Sequence, residues 1–162
     1  MGTGSGALAI ALAKKYPQAQ VTAVDFSSDA LSLAQENSSA NISEKKVQFI
    51  RSNWYNALPQ DEKYDLIISN PPYLTKGEMT TAELEVVKYE PRLALQSGED
   101  GLDDLRIIVA GARDRLATGG LLALETGIVH NESLLLLAKN AGMVGKSMED
   151  MSGRSRFFLA TK

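Results

Sequence analysis

Short extended runs of apolar residues alternate along the chain with stretches in which apolar residues recur at helical spacing. The extended runs, rich in Val, Ile and Leu, predict strands over residues 21–24, 47–50, 65–69 and 121–125. The other stretches predict helices over residues 7–16, 28–40, 78–87, 102–116 and 134–141. Strands that alternate with helices favour a doubly wound, mostly parallel sheet with helices on both faces, so we predict the α/β fold class, Rossmann-like.

Local signals set the expected ends of several elements. Ser27 or Ser28 is expected to cap the helix over 28–40. Pro17 is expected to end the first helix, which is apolar almost all round and is therefore predicted to be buried. A Gly-Gly pair at 119–120 predicts a left-handed cap at the end of the helix over 102–116. Apolar runs at 143–148 and 157–160 predict a closing antiparallel hairpin.

The composition narrows the classes of function. The chain has 162 residues with 17 basic and 20 acidic side chains, a net charge of −3, no cysteine and one histidine. Direct binding of nucleic acid relies on clustered Lys and Arg, which a mildly acidic chain does not favour. The Cys and His content argues against disulfides, metal centres and a serine–histidine triad. No apolar run approaches the roughly 20 residues that span a bilayer, so we expect one cytoplasmic domain without a metal or a membrane partner.

A glycine-rich loop opens the chain and runs directly into the first helix, with the residues Gly2, Thr3, Gly4, Ser5 and Gly6. Glycines let the backbone approach a ligand closely, and the helix start behind them offers free N–H groups to an anionic group. Asp25, at the end of the next predicted strand, lies near the offset of ~20 residues expected for an acidic residue that binds ribose hydroxyls. These residues predict a nucleoside-binding site. Together with Ala7 the glycines also satisfy the looser dinucleotide fingerprint, which leaves the nucleoside open.

The loop lacks the strand that is expected to precede it. Glycine-rich loops of this kind follow a strand that is central in a doubly wound sheet, whereas here Met1 alone stands before Gly2. We therefore expect the chain to be a fragment of a longer polypeptide that supplies the first strand.

A second candidate site follows the strand predicted over 65–69, in the sequence Asn70, Pro71, Pro72, Tyr73. The two prolines make the turn stiff, so the Asn70 carboxamide oxygen and the Pro71 carbonyl can accept both hydrogens of a planar –NH₂ group, against which Tyr73 can pack. Amide and aromatic amino nitrogens are weak nucleophiles because their lone pair is delocalised. Such a clamp would turn the lone pair towards an electrophile. The carboxyl ends of parallel strands meet at one sheet edge, so we expect this turn beside the glycine loop and Asp25.

These motifs resemble the class I S-adenosylmethionine-dependent methyltransferases that carry an Asn-Pro-Pro-Tyr motif and methylate amino groups. Within that group the chain is most similar to the protein-(glutamine-N5) methyltransferases that modify peptide-chain release factors. Residues 89–91, 94–95, 98–102, 119–120, 124–125, 150, 153 and 156 extend the resemblance over essentially the whole chain. The resemblance implies that residues 1–162 form that family's catalytic domain, truncated before its first strand and without the family's N-terminal helical domain.

The resemblance also implies roles for individual residues. S-adenosyl-L-methionine is the implied cofactor and S-adenosyl-L-homocysteine its product, with a peptide-chain release factor as the protein partner. The implied cofactor-binding residues are Gly2, Thr3, Gly4, Ser5, Gly6, Asp25, Phe26, Asn53, Trp54 and Asn70, where Asn53 replaces the family's usual Asp. The implied catalytic residues are Asn70, Pro71 and Tyr73, and the implied substrate-binding residues are Asn70, Pro71, Pro72, Tyr73, Glu90 and Pro91. His130, at a position where the family often has Gln, is expected at the surface.

Four other functions are weighed against this one. A glutamine methyltransferase of a ribosomal protein fits the same motifs. An adenine-N6 or guanine-N2 methylase of nucleic acid shares the Asn-Pro-Pro-Tyr turn, although the acidic charge argues against it. A nicotinamide-dependent dehydrogenase would explain the glycine loop, but the chain has no Tyr-x-x-x-Lys pair. A truncated, inactive fragment that keeps the fold without binding cofactor is the non-enzymatic alternative.

Overall fold

The computed structural model describes residues 1–42, 46–81 and 94–162. Their contacts group the chain into two compact units, which we call unit 1 (Met1–Pro59) and unit 2 (Gln60–Lys162). Helices and strands alternate in both units, which confirms the predicted α/β class. The prediction that the whole chain is one catalytic domain stays a prediction.

The described part of unit 1 contains a pair of parallel strands packed against helices. Its elements are α1 (Ala7–Lys15), β1 (Val21–Asp25), α2 (Ser28–Asn41) and β2 (Val47–Arg51). The two strands pair in parallel without a register shift, from Val21 opposite Val47 to Asp25 opposite Arg51. All four elements were predicted to within about two residues at each end, because each is bounded by a proline, a cap or a polar run.

The predicted burial is correct for α2 and wrong for part of α1. On α2, Leu31 and Ala34 are buried as expected. The Ser27 side chain caps this helix by accepting a hydrogen bond from the Ala30 N–H at 3.2 Å, which confirms the predicted start. The prediction that α1 is buried all round is wrong, because Leu8 is 49% exposed. A helix that packs against one layer buries only the side chains on one face. The prediction failed because α1 also carries apolar residues on its exposed face.

Unit 2 contains a four-stranded mixed sheet among its described residues. Its elements are β3 (Tyr64–Ser69), α3 (Lys76–Thr81), α4 (Asp103–Arg115), β4 (Leu116–Glu125), α5 (Asn131–Asn140), β5 (Val144–Glu149) and β6 (Ser155–Thr161). The strand order is β3-β4-β6-β5, with β3 and β4 parallel and the remaining pairs antiparallel. The predicted closing hairpin is therefore confirmed as β5 and β6.

The core of unit 2 lies between this sheet and the two long helices. Its largest fully buried side chains include Phe158 on β6, Leu122 and Leu124 on β4, and Leu134 on α5. The inner face of α4 is formed by the residues that the helical spacing selected, which are Leu105, Ile108, Val109 and Ala112. The loops after Ser69 and Glu125 therefore start from the carboxyl ends of β3 and β4, at the edge of this packed core.

The predicted glycine cap after α4 is wrong. This helix ends at Arg115, and Leu116 is already extended and begins β4. Gly119 lies inside the strand, where the pairing moves from Tyr64 opposite Leu116 to Leu66 opposite Leu121. The glycine pair therefore accompanies a bulge in β4, because the strand begins before it and takes up extra residues against β3.

The helix predicted over 78–87 begins earlier than expected and is described only in part. In α3 the Thr75 hydroxyl accepts from the Glu78 N–H at 3.1 Å, while the Glu78 carboxylate accepts from the Thr75 N–H at 2.9 Å. This reciprocal pair is a capping box, whose Thr-x-x-Glu signal stood in the sequence and was missed. The rest of the predicted helix lies outside the described residues. Among the described helices, none has the length and apolar character that crossing a bilayer requires.

Candidate active site

The glycine-rich loop of unit 1 is held against the end of β1 by backbone hydrogen bonds. The Thr3 N–H donates to the Val24 carbonyl at 2.9 Å, and the Gly6 N–H donates back to the Thr3 carbonyl at 2.8 Å. Gly6 caps α1 in a left-handed conformation, with φ at 81°. The loop therefore forms a tight turn that leads from β1's edge into the helix, as its glycine spacing predicted.

Asp25 fixes this loop through both of its carboxylate oxygens. Oδ2 accepts from the Gly4 N–H at 2.9 Å, and Oδ1 accepts from the Ser27 N–H at 2.9 Å. Each oxygen keeps a second lone pair for a further donor such as a hydroxyl group. The carboxylate therefore orients the loop and the start of α2, and the ribose-binding role assigned to it stays a prediction.

A matched pair of glycine substitutions separates backbone strain from steric overlap in the loop. A Cβ at Gly6 would lie 2.9 Å from the Ala34 Cβ on α2, whereas a Cβ at Gly4 would meet no atom within 4 Å, and both residues have positive φ. We expect Gly4→Ala to lower the free energy of unfolding by about 1 kcal/mol through strain alone. Gly6→Ala is expected to lower it by about 1–3 kcal/mol more, because the overlap adds to the strain. Equal losses in urea denaturation would show that the contact between Gly6 and Ala34 does not matter.

Trp54 occupies an unusual backbone position in the loop that follows β2. Its φ is 48°, which makes it the one non-glycine residue with positive φ in the described ranges. A Cβ at Gly2 would lie 3.7 Å from the Trp54 ring, so the indole lies beside the glycine loop. The buried Ser52 hydroxyl holds this turn by donating to the Trp54 carbonyl at 2.8 Å and accepting from the Ala57 N–H at 3.0 Å. Backbone strain of this kind is concentrated at ligand sites.

Two more residues of unit 1 that were predicted to bind cofactor, Phe26 and Asn53, are at the surface. Phe26 is 61% exposed, with the Arg51 guanidinium 6.0 Å from its ring centroid. The Arg51 Nε also donates to the Phe26 carbonyl at 3.2 Å. Asn53 is exposed as well. The aromatic face of Phe26 is therefore available to a planar ligand on the side away from Arg51.

Two observations show that the residues of unit 1 are suited to a nucleoside cofactor. The space beside Gly4 is open where a side chain would stand, so that the backbone of the loop can contact a ligand directly. The Trp54 ring and the carboxylate of Asp25 lie beside the same loop and offer a stacking surface and hydrogen-bond acceptors. The described residues include no group of three or more His, Asp or Glu that could hold a metal ion.

In unit 2 the residues 70–73, which we call the proline turn, follow directly after β3. Ser69 and Pro71 are buried, while Asn70 is exposed. The N–H groups of Tyr73 and Leu74 both donate to the Leu95 carbonyl, at 3.2 Å and 2.9 Å. The turn is thus held after its second proline by the Leu95 carbonyl, while Asn70 is exposed to solvent, and the clamp role assigned to it stays a prediction.

The phenol of Tyr73 contacts the start of β6, which lies level with the carboxyl end of β4. Arg156, on β6, donates from Nη1 to the Tyr73 hydroxyl at 3.1 Å. Burial and the nearby Glu125 carboxylate raise the pKa of Tyr73, against the opposing effect of Arg156. The raised pKa keeps the phenol protonated, so its oxygen accepts from Arg156 and its O–H can donate to Glu125.

Removal of this hydroxyl tests whether its anchoring matters. We expect Tyr73→Phe to lower kcat/KM for the acceptor protein roughly threefold to tenfold, because the contacts of its hydroxyl with Arg156 and Glu125 are lost. Tyr64→Phe is the matched control. Tyr64 begins β3, the strand that leads into the proline turn, and its hydroxyl donates to the exposed Glu62 carboxylate. Steady-state methylation assays that give both variants the same kcat/KM would contradict the assignment.

The surface position predicted for His130 is wrong. His130 is 3% exposed and lies at the start of α5, with its ring between Gly101 and Gly127. Polarity alone suggested the surface, whereas packing of two glycines around the ring buries it. Glu90 and Pro91, predicted to bind the substrate, lie outside the described residues. The prediction that the glycine loop and the proline turn share one sheet edge stays a prediction.

The sequence of the chain matches one family and several curated proteins. A sequence model of the methyltransferase small domain family matches residues 1–100. A release factor glutamine methyltransferase from Xylella fastidiosa (strain Temecula1) is 46% identical over 159 residues, which are 96% of this chain and 56% of that protein. A protein of the same name from Deinococcus radiodurans is 43% identical over 162 residues, which are 100% of this chain and 56% of that protein. The chain therefore spans about half the length of the curated relatives it matches.

Solved structures with low sequence identity share the fold. A ribosomal protein methylase from Lactobacillus delbrueckii subsp. bulgaricus superposes with a TM-score of 0.70 at 19% identity, over 98% of this chain and 65% of that one. A 16S rRNA methyltransferase from T. thermophilus, in complex with AdoMet and guanosine, superposes with a TM-score of 0.71 at 23% identity, over 100% of this chain and 36% of that one. These likenesses confirm the predicted class I methyltransferase fold.

Proposed function

The chain belongs to the methyltransferase small domain family, and on that basis we propose that it transfers a methyl group from S-adenosylmethionine to a protein. The acceptor in this proposal is the side-chain amide nitrogen, N5, of a glutamine in a peptide-chain release factor. The observation that carries the proposal is the proline turn, which leaves Asn70 exposed after β3 and anchors Tyr73 from both sides. An anchored turn of this composition suits a planar –NH₂ group better than a hydroxyl or a thiol.

The protein's contribution to the chemistry is to orient a weak nucleophile. When bound, S-adenosylmethionine supplies a methyl group on a positively charged sulfur, which is a strong electrophile. The Asn70 Oδ1 and the Pro71 carbonyl would accept the two amide hydrogens, so that the nitrogen lone pair faces away from the clamp. These hydrogen bonds strengthen as positive charge develops on nitrogen, and the amide proton leaves once the new bond to carbon has formed. No strong general base is needed for that order of events.

Unit 1 would hold the cofactor. Its loop backbone at residues 2–6 would admit the methionine portion, and Asp25 would accept from the ribose hydroxyls with its remaining lone pairs. Trp54, Phe26 and Asn53 would surround the adenine. Two exposed or half-exposed aromatic rings near an acidic ribose acceptor are the features expected of such a site.

The choice of a release factor as acceptor draws on the relatives. The two relatives described above carry the name release factor glutamine methyltransferase and match the chain over at least 96% of its length. Action on a release factor also implies a cytoplasmic protein, which we include in the proposal.

Labelling of the acceptor tests this function directly. The protein, at its full natural length, is incubated with methyl-labelled S-adenosylmethionine and purified release factors. We expect the label to map to one glutamine and to vanish when that glutamine is replaced by alanine. Label on a ribosomal protein or on RNA instead would refute the release-factor acceptor, and absence of calorimetric binding of S-adenosylmethionine would refute the methyltransferase itself.

A further inference from the structure

His130 makes its one described polar side-chain contact with the backbone of the loop before α4. Its Nε2 lies 3.2 Å from the carbonyl oxygen of Asp100. Since a carbonyl oxygen only accepts, Nε2 carries the proton of this contact. Its Nδ1 is buried and has no hydrogen-bond partner among the described residues. The buried ring therefore makes a hydrogen bond to the backbone of Asp100. It does not cap α5, although His130 stands at the start of that helix.

The ring also fills the space between two glycines that border Tyr73. A Cβ at Gly101, where φ is +75°, would lie 2.9 Å from His130 Nε2 and would collide with the Tyr73 carbonyl oxygen. A Cβ at Gly127 would lie 2.9 Å from His130 Nδ1 and 3.4 Å from the Tyr73 Cδ2. Tyr73, two glycine backbones and the imidazole are therefore packed together without room for one more methyl group.

A short backbone segment connects this cluster to the proline turn a second time. The Leu95 carbonyl accepts from the N–H groups of Tyr73 and Leu74, and the Ser97 N–H donates to the Leu74 carbonyl at 3.1 Å. The same segment continues to Asp100 and Gly101, where His130 holds it. Displacement of residues 95–101 would therefore move the Leu95 carbonyl and the Ser97 N–H, which are the hydrogen-bond partners of Tyr73 and Leu74.

We propose that His130 is a positioning residue for the acceptor amide. By holding Asp100 and filling the gap beside Gly101, it fixes the backbone and ring of Tyr73 in the proline turn. It contacts neither substrate nor cofactor in this role. The inference rests on the function proposed above, and it predicts that changes at His130 alter handling of the acceptor protein while cofactor binding stays intact.

Kinetics of four variants, made in the protein at its full natural length, test the inference. His130→Ala is expected to lower kcat/KM for the release factor about tenfold, mainly by raising KM, because a displaced Tyr73 binds the acceptor side chain less well before and during the reaction. The Kd for S-adenosylmethionine should stay within about twofold. His130→Gln, whose amide can donate to the Asp100 carbonyl, should recover most of the loss, while His130→Leu, similar in bulk without a donor, should not. Leu136→Ala, an exposed change on the same helix, is the control.

Hydrogen exchange supplies a readout that does not depend on activity. We expect the Tyr73 and Leu74 amides to exchange faster in His130→Leu than in the wild type, with amides on β5 and β6 unchanged. A uniform rise throughout unit 2, or a fall in active fraction at constant KM, would overturn the positioning role in favour of stability alone. If the wild type labels no release factor, the proposed function fails, and the exchange at Tyr73 and Leu74 still decides whether His130 fixes the turn.

Discussion

Replacement of Asn70 by alanine is expected to lower the rate of methyl transfer about 100-fold to 1000-fold, as loss of one preorganised hydrogen-bonding group at a reacting centre does. The carboxamide is proposed to accept one of the two amide hydrogens, and no other described side chain of the turn offers an equivalent oxygen. Because Asn70 is exposed, the free energy of unfolding should change by less than about 0.5 kcal/mol. Single-turnover transfer of a labelled methyl group measures the rate, and calorimetry measures cofactor affinity.

The control for this prediction is Asn140→Ala, an exposed asparagine at the end of α5 in the same unit. It should transfer methyl groups at the wild-type rate. Unchanged single-turnover rates in Asn70→Ala would refute the clamp. A rate that falls only in proportion to a weaker affinity for S-adenosylmethionine would show that Asn70 acts on the cofactor alone.

Replacement of Asp25 by alanine is expected to weaken S-adenosylmethionine binding at least about 100-fold. Two effects combine, since hydrogen bonds to a charged group contribute about 1.5–3 kcal/mol each and the ribose would lose its acceptors. The Gly4 and Ser27 N–H groups would also lose the carboxylate that orients the loop. Isothermal titration calorimetry gives the affinity, and urea denaturation separates it from unfolding.

Two further variants sharpen this test. Asp25→Asn keeps the shape but turns one acceptor into a donor, so one of the two backbone contacts must break, and we expect an intermediate affinity. Asp29→Ala removes an exposed carboxylate from the first turn of α2 and should bind like the wild type. If Asp25→Ala retains wild-type affinity, the ribose-binding role is wrong, even if the loop becomes less stable.

Much of the fold could be predicted because its signals are local. Val21–Asp25 is a short run rich in β-branched residues that ends at an acidic residue, and the Ser27 cap is recognised from one side chain and the helix that follows. The end of α4 was predicted to within one residue, but the start of β4 directly after it was not. The residues after Arg115 look like a helix cap in sequence, but pairing of Leu116 with Tyr64, fifty-two positions earlier, draws them into β4. Pairing across such a separation overrides local preference.

In the candidate site, too, the residues with local sequence signals were predicted and those placed by long-range contacts were not. The glycine loop, Asp25 and the proline turn stand out because each is a short motif with its own spacing. What holds them was harder to predict, because Arg156 contacts Tyr73 across 83 positions and His130 contacts Asp100 across 30. His130 was placed at the surface since nothing in its neighbours along the chain encodes the two glycines that enclose it. Residues that support a site are selected by three-dimensional packing, which a single sequence does not display.

The hydrogen bond between Arg156 and Tyr73 joins two residues that are far apart in the order of synthesis. A nascent chain on the ribosome exposes the turn at 70–73 long before β6 has been translated. Until Arg156 emerges and the hairpin closes, the Tyr73 phenol lacks its guanidinium partner. A polypeptide released early by a premature stop codon before residue 156 would therefore carry every motif of the turn but lack the guanidinium that contacts its tyrosine.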